Sequence, residues 1–311
     1  MAQPRRPALS VDFLNPPGEP SLVPPNSMQW RLGTNPVTNG IGAVAAVLLE
    51  FAEPKIRSGV WDHSIFKTDP ARRGQRTMAV GSAATYAPAS TGRRFIDNVT
   101  RMHNRVVGET PSGEAYQAMD TELLDWVAAT GDYCGLEAYH RFRRPLSTED
   151  RNRFYRDGRA ISTCFGVVNP LRSDADFFAM MDRLLPRFEA HEINFELIDI
   201  MLSQRALPGV PGFLRRALIR SGISLIPAKV RERMQLGAKY DMTLLDRLAM
   251  GVMAWLVEVL PPKNHPAKQG AARLGLPANF AWMSPAKQQA ILAKNPKAAA
   301  PAAPAVPVAA E

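Results

Sequence analysis

Cysteine is scarce in this 311-residue chain, which contains only Cys134 and Cys164. Their separation forms neither a Cys-x-x-Cys pair nor a disulfide framework, so the sequence excludes thiolate zinc sites and favours a reducing compartment. Residues 1–17 include two arginines but no apolar stretch as long as a signal peptide needs, which predicts a cytoplasmic location. The longest apolar run, residues 248–257, has about half the length that a bilayer span requires and predicts a buried helix.

Strand-like alternation and the common catalytic motifs are also missing. The chain has no Gly-x-x-x-x-Gly-Lys-Ser phosphate loop, no His-Glu-x-x-His pair and no Gly-x-Ser-x-Gly elbow. It shows no repeat of fixed period, which argues against a solenoid. Apolar residues recur instead at steps of three and four, so we predict an all-α fold with one multi-helix domain over residues 28–292.

The two ends are rich in proline and differ from the helical part. Prolines at positions 4, 7, 16, 17, 20, 24 and 25 predict a flexible arm over residues 1–27. Residues 293–311 form an Ala/Pro segment, which we expect to be a disordered tail. Between these ends, helices are predicted at 38–53, 121–142, 147–166, 173–185, 187–204, 211–221, 228–235 and 241–260. Thr38 or Asn39 is the expected cap of the first, and a Ser147 to Asp150 capping box begins the third.

The chain is basic, with a formal net charge of +9 and a pI near 9.8. Its Lys and Arg residues are scattered, and no compact basic run alternates with aromatic residues, so nucleic acid is not a predicted partner. The positive charge does favour peripheral contact with an anionic membrane surface.

One histidine lies among apolar residues at helical spacing. Phe95, Val99, Met102 and Val106 predict the buried side of a helix that ends at Gly108, with Ser90 or Thr91 as its cap. His103 lies at the edge of this stripe, in mid-helix, and is expected to point inward. It is either a packed core residue or a ligand to a bound group.

Two further clusters contain groups that could carry chemistry. His191 lies near Glu189 and Glu192, a pattern compatible with a carboxylate-rich metal site or with a solvated surface. The segment "HSIFKTDPARRGQRTM" places His63, Arg73, Arg76 and Thr77 close in sequence. Its guanidinium groups, three residues apart, suit carboxylates such as haem propionates, although a solvated basic loop has the same pattern.

Four blocks of sequence resemble one known family in their order and spacing. These blocks are "LLEFAEPKIRSGVWDHS", "DPARRGQRT", "MHNRVVGETPSGEAYQAMDTELLDWV" and "YHRFRRPLSTEDRNRFY". Together they resemble the bacterial latex-clearing rubber oxygenases and the fungal mycophenolic-acid-pathway oxygenase. The resemblance extends from about Gly40 to about Tyr155, with weaker agreement over residues 225–237.

The resemblance implies an all-α protein that holds haem b, with His103 as the axial ligand to the iron. The family carries an Arg-x-x-Lys-Thr segment beside the haem, and Arg73 and Thr77 match it as cofactor-binding residues. Arg76 replaces the lysine, so distal ligation by lysine is not implied, because arginine stays protonated. His63 and Arg76 are then the candidates for catalytic polar groups in the pocket.

The function implied by the resemblance is a haem-dependent oxygenase. It would use dioxygen to cleave a carbon-carbon double bond of a hydrophobic, isoprenoid-like substrate and give carbonyl products. The alternatives from the sequence are a non-catalytic helical protein that binds haem or lipid, and a metal-carboxylate enzyme that uses His191.

Overall fold

The structure is a computed structural model that describes residues 10–299 of the chain. Its helices are α1 (Met28–Gly33), α2 (Pro36–Ala52), α3 (Pro54–His63), α4 (Pro70–Tyr86), α5 (Ala89–His103), α6 (Thr121–Phe142), α7 (Thr148–Cys164), α8 (Asp174–Leu184), α9 (Glu192–Leu202), α10 (Gly212–Ile223), α11 (Ala228–Arg233), α12 (Leu244–Val259), α13 (Pro266–Arg273), α14 (Pro285–Lys294) and α15 (Pro296–Ala299). Two short strands, β1 (Val107–Glu109) and β2 (Ala115–Gln117), form an antiparallel hairpin between α5 and α6. The predicted all-α fold is confirmed, and the hairpin is the one sheet within residues 10–299.

Helices α2 and α6 pack against each other at the centre of the fold. The side chains of Leu48, Phe51 and Trp126 are fully buried between them and the surrounding helices. Gly42 permits the close approach, since a Cβ atom there would lie 2.9 Å from the backbone of α6 at both the Cys134 oxygen and the Gly135 Cα. This helix pair forms the rigid base on which the site residues of α2 and α6 are held.

Most predicted helices are present, with shifted ends. Asn35, rather than Thr38 or Asn39, caps α2 by accepting a hydrogen bond from the Thr38 amide, and Pro36 occupies the first turn. Ser147 caps α7 as predicted. The cap of α5 is Pro88 without a side-chain hydrogen bond, so the expected capping by Ser90 or Thr91 is wrong. Helix α9 begins at Glu192 rather than near 187, because residues 185–187 form a 3-10 turn.

Residues 10–27 do not form the flexible arm that their prolines suggest. Phe13, Leu22 and Val23 are buried, because the guanidinium of Arg273 holds the backbone of this segment against α4 and α13. Arg273 donates hydrogen bonds to the carbonyl oxygens of Phe13 at 2.7 Å and Glu19 at 2.8 Å, and to Ser21 Oγ at 2.7 Å. The described part of the predicted arm is therefore part of the packed structure. Residues 1–9 lie outside the described residues.

The C-terminal boundary also differs from the prediction at residue 292. Helices α14 and α15 continue to Ala299, and Ala298 is buried in the same cluster as Phe280. Residues 300–311 of the predicted tail lie outside the described residues.

The prediction that residues 248–257 are buried is wrong. They do form a helix, but in α12 only Met250 and Ala254 are buried. Leu248 is 55% exposed and Trp255 is 50% exposed. Within residues 10–299, no helix is long and apolar enough to cross a membrane.

Candidate functional site

His103 is the last residue of α5 rather than a mid-helix residue. The chain turns after it, because the Val106 amide donates to the His103 carbonyl at 2.9 Å and leads into β1. Phe95 is buried as expected, but Met102 is 57% exposed, so the predicted buried stripe does not continue to the end of the helix. The His103 side chain itself is half-buried.

Arg73 and Thr77 lie one turn apart on α4. This helix begins at Pro70 with Asp69 as its cap, and the Asp69 side chain accepts from the Arg72 amide. The Arg73 guanidinium donates to Thr77 Oγ1, and that hydroxyl donates to the Arg73 carbonyl at 3.1 Å. Thr77 therefore holds the Arg73 side chain along α4.

Glu50 on α2 is a site residue that the sequence analysis did not single out. Thr130 Oγ1 on α6 donates a hydrogen bond of 3.4 Å to Glu50 Oε1. Burial raises the pKa of Glu50 to about 7, although the Arg73 charge and the Thr130 hydrogen bond both act to lower it. Its signal in the sequence was a single carboxylate in an apolar helical run, "AVAAVLLEFA".

Arg73 links Glu50 to His103 electrostatically. Burial lowers the pKa of Arg73, and the negative charge of Glu50 opposes this effect. The pKa of His103 is lowered by burial and, after it, by the positive charge of Arg73. Three helices thus bring a carboxyl, a guanidinium and an imidazole into one electrostatic neighbourhood, in which burial and the Arg73 charge favour the neutral form of His103.

Three glycines of α4 and α6 lie on exposed helix surface. A Cβ atom added at Gly74 or Gly81 on α4, or at Gly131 on α6, would meet no atom within 4 Å. These glycines belong to the two helices that also carry Arg73 and Thr130.

The donor set fits a haem. A neutral imidazole is the form that ligates iron, and a guanidinium forms charge-assisted hydrogen bonds with a propionate carboxylate.

His63 and Arg76 have different surroundings. Arg76 is close enough to Arg73 for its charge to lower the pKa of Arg73. His63 is exposed at the end of α3, where its Nε2 lies 3.3 Å from the hydroxyl of Tyr116 on β2. The two rings meet edge to face. The structure therefore brings His63 together with the hairpin, and its role in the pocket stays a prediction.

The metal-carboxylate hypothesis is wrong. Nδ1 of His191 accepts a hydrogen bond from the Ile193 amide at 3.2 Å, so this side chain caps α9. Glu189 accepts at 2.5 Å from the buried guanidinium of Arg57. Over residues 10–299, no group of three or more His, Cys, Asp or Glu side chains is placed to hold a metal ion.

The fold is an all-α domain in which polar groups of α2, α4, α5 and α6 act on one another through charge and one hydrogen bond. A family model described as "ER-bound oxygenase mpaB/B'/Rubber oxygenase, catalytic domain" matches residues 30–259. The match covers well over half of the chain and includes all four site helices, so the chain belongs to this family and the resemblance is confirmed. Comparisons with curated proteins and with solved structures gave no match. Membership supports an oxygenase role for this chain.

Proposed function

We propose that the protein is a haem b-dependent oxygenase that acts on a hydrophobic, unsaturated, isoprenoid-like substrate with dioxygen. The observation that carries the proposal is the convergence of His103, Arg73 and Glu50 from three helices, in a chain that belongs to an oxygenase family.

His103 is the proposed axial ligand. An imidazole ligates iron through the lone pair of an unprotonated nitrogen, so it must be neutral at the working pH. Burial and the Arg73 charge both lower the pKa of His103 from its ordinary value of 6.5. Both effects favour the unprotonated imidazole, which is the form that binds a metal.

Arg73 and Arg76 are the proposed partners of the haem propionates. Arginine stays protonated, and its planar guanidinium can bind a carboxylate through two parallel hydrogen bonds. Thr77 orients Arg73 along α4, which reduces the rotamer freedom that the side chain would lose on binding. When bound, the haem supplies the iron at which dioxygen is activated.

Glu50 is the proposed proton-handling group. A pKa of about 7 lets its carboxyl accept or release a proton near neutral pH, which suits general acid-base chemistry. Thr130 Oγ1 lies 3.4 Å from Oε1 and is a polar partner of this carboxyl on α6. His63 and Arg76 remain further candidates for catalytic polar groups.

Turnover with an alkene tests the proposal. Haem-loaded protein is given squalene, with the saturated squalane as the matched control, and oxygen uptake and carbonyl products are measured. The proposal expects oxygen uptake and carbonyl products with squalene and neither of them with squalane. Haem binding without oxygen uptake on any isoprenoid alkene would favour the alternative of a non-catalytic haem-binding or lipid-binding protein. A cytoplasmic location stays a prediction from the sequence.

A further inference from the structure

One face of α12 is apolar and exposed along its whole length. Leu244 is 72% exposed, and Leu248, Val252, Trp255 and Val259 follow on the same side of the helix at steps of three and four. Leu245, Leu256 and Leu260 are exposed as well and widen this face. At the usual rise per residue, the face is roughly 24 Å long. A continuous exposed apolar surface of this kind marks a docking site.

Much of this face also lines a groove. It has a volume of about 510 Å³, and its apolar lining comes from α12 together with Phe142 at the end of α6. Two arginines, Arg141 and Arg247, also line it. The groove therefore combines an apolar floor with two guanidinium groups, which suits a molecule that has an apolar chain and an anionic head.

Most of the exposed charges near the face are positive, and the exposed carboxylate of Asp241, just before α12, is paired with Arg231. Both acidic residues of α12 are largely buried in ion pairs, with Asp246 bound to Arg220 and Glu258 bound to Arg143 and Arg144. The side chains of Arg141 and Arg144 remain nearly half exposed, although Arg141 is paired with Glu137 as Arg144 is with Glu258. Arg247 and, just beyond the helix, Lys263 are also exposed.

We propose that the α12 face docks this protein onto an anionic lipid membrane, with the helix lying in the plane of the interface. Leucine and tryptophan side chains enter the boundary between headgroups and acyl chains, where tryptophan is favoured. The surrounding arginines and Lys263 pair with lipid phosphates and carboxylates. A second copy fits the face less well, because the two basic margins would repel each other. The proposal does not rest on haem binding or on turnover.

Sedimentation with vesicles tests the proposal on the full chain. The parent protein is mixed with phosphatidylcholine vesicles, with and without phosphatidylserine. The double variant Leu248→Glu/Trp255→Glu is compared with Val168→Glu, which makes the same kind of change at an exposed apolar residue in the loop after α7. Arg247→Gln keeps the apolar face and removes one charge, and melting curves confirm that each variant folds.

The expected result is binding to the phosphatidylserine vesicles, weakened at least about tenfold in the double variant and unchanged in Val168→Glu. Arg247→Gln should weaken binding to these vesicles about fivefold. Added salt should reduce the difference in binding between this variant and the parent protein. Equal binding to both vesicle types, or a double variant that binds like the parent, would overturn the proposal. A parent dimer that dissociates on Leu248→Glu would overturn it too, since a second copy would then cover the face.

Discussion

Thr130 Oγ1 on α6 donates a hydrogen bond to Glu50 Oε1 on α2, and the two atoms lie 3.4 Å apart. The same hydroxyl lies 2.8 Å from the carbonyl oxygen of Val127, one turn earlier on α6. This contact places a titratable carboxyl at the junction of the two central helices. Of the groups that act on the pKa of Glu50, Arg73 is charged and Thr130 is a neutral hydrogen-bond donor. The effect of Thr130 on the pKa of Glu50 is smaller than that of burial.

Glu50 should make the stability of the haem-free protein depend on pH. Its pKa is about 7 in the folded chain and 4.5 ordinarily, so the folded chain binds this proton more tightly. The contribution of this protonated carboxyl to the free energy of unfolding is fully present below pH 4.5 and is lost as the pH rises through 7. Glu50→Gln should therefore be more stable than the parent by about 1–3 kcal/mol near pH 8, and equal to it in acid. Urea unfolding at both pH values measures the difference.

The matched control for Glu50 is Glu149→Gln, which changes an exposed carboxylate in a surface ion pair with Arg156. Its effect on the unfolding free energy should be within about 1 kcal/mol at both pH values. Asp132, whose pKa burial also raises to about 7, keeps part of the pH dependence in both variants. If Glu50→Gln showed the same pH dependence as the parent, Glu50 would not titrate in this range.

The central helix pair should tolerate no side chain at Gly42. A Cβ atom there would lie 2.9 Å from the backbone of α6, so Gly42→Ala must push α2 and α6 apart and should cost about 1–3 kcal/mol. Gly81→Ala is the control, because a Cβ atom at this position in α4 meets nothing within 4 Å. That change should stabilise the haem-free protein by about 0.5–1 kcal/mol through helix propensity. Thermal or urea unfolding of both variants measures the sign of each change in the free energy of unfolding. Equal changes in the two variants would contradict the packing described.

Arg273 should hold the N-terminal segment in place. Its guanidinium is buried and donates to the carbonyl oxygens of Phe13, Glu19 and Tyr86. Arg273→Ala leaves the carbonyl oxygens of Phe13 and Glu19 without this donor, while Tyr86 keeps a hydrogen bond from Ser21 Oγ. The change should lower the free energy of unfolding by about 2–4 kcal/mol. The control Arg172→Ala removes an arginine whose side chain is 79% exposed, and it should change the value by less than about 1 kcal/mol. A melting temperature unchanged in Arg273→Ala would mean that residues 10–27 contribute little to stability.

The central helices and the family could be read from the sequence because they depend on local pattern. The apolar spacing in α2 and α6 and the Ser147 cap of α7 are local features, and the structure confirms them. The hairpin was missed because each strand has only three residues, too few to show alternation. The true end of α5 at His103 follows from that hairpin.

Other features depend on contacts between residues far apart in the chain. The packed position of Phe13, Glu19 and Ser21 involves hydrogen bonds with Arg273, more than 240 positions later. The apolar run in α12 looked like core, because composition does not show which face a helix turns to its neighbours. Glu50 became recognisable as a site residue only through Thr130 and Arg73, which lie on other helices.

Arg73 should contribute to haem retention more than its neighbour Arg72. The charge of Arg73 acts on the pKa of both Glu50 and His103. Arg72 shows no such effect, and its hydrogen bond with Asp69 uses its backbone amide. A charge-assisted hydrogen bond contributes on the order of 1.5–3 kcal/mol, so Arg73→Gln should weaken haem binding roughly ten- to a hundredfold. Transfer of haem to apomyoglobin measures the loss for Arg73→Gln and Arg72→Gln. Equal losses would argue against Arg73 as the propionate partner.

The absorption spectrum of protein supplied with haem tests the central claim most directly. The parent should show a Soret band whose position changes on reduction, as expected for histidine-ligated iron. His103→Ala should lose this band or bind haem with an altered spectrum, while circular dichroism shows that its helices remain. His140→Ala is the control. The His140 side chain, in the last turn of α6, accepts a hydrogen bond from the Leu146 amide, so it has a structural partner and is not a proposed haem ligand. Full haem occupancy with an unchanged spectrum in His103→Ala would contradict the account.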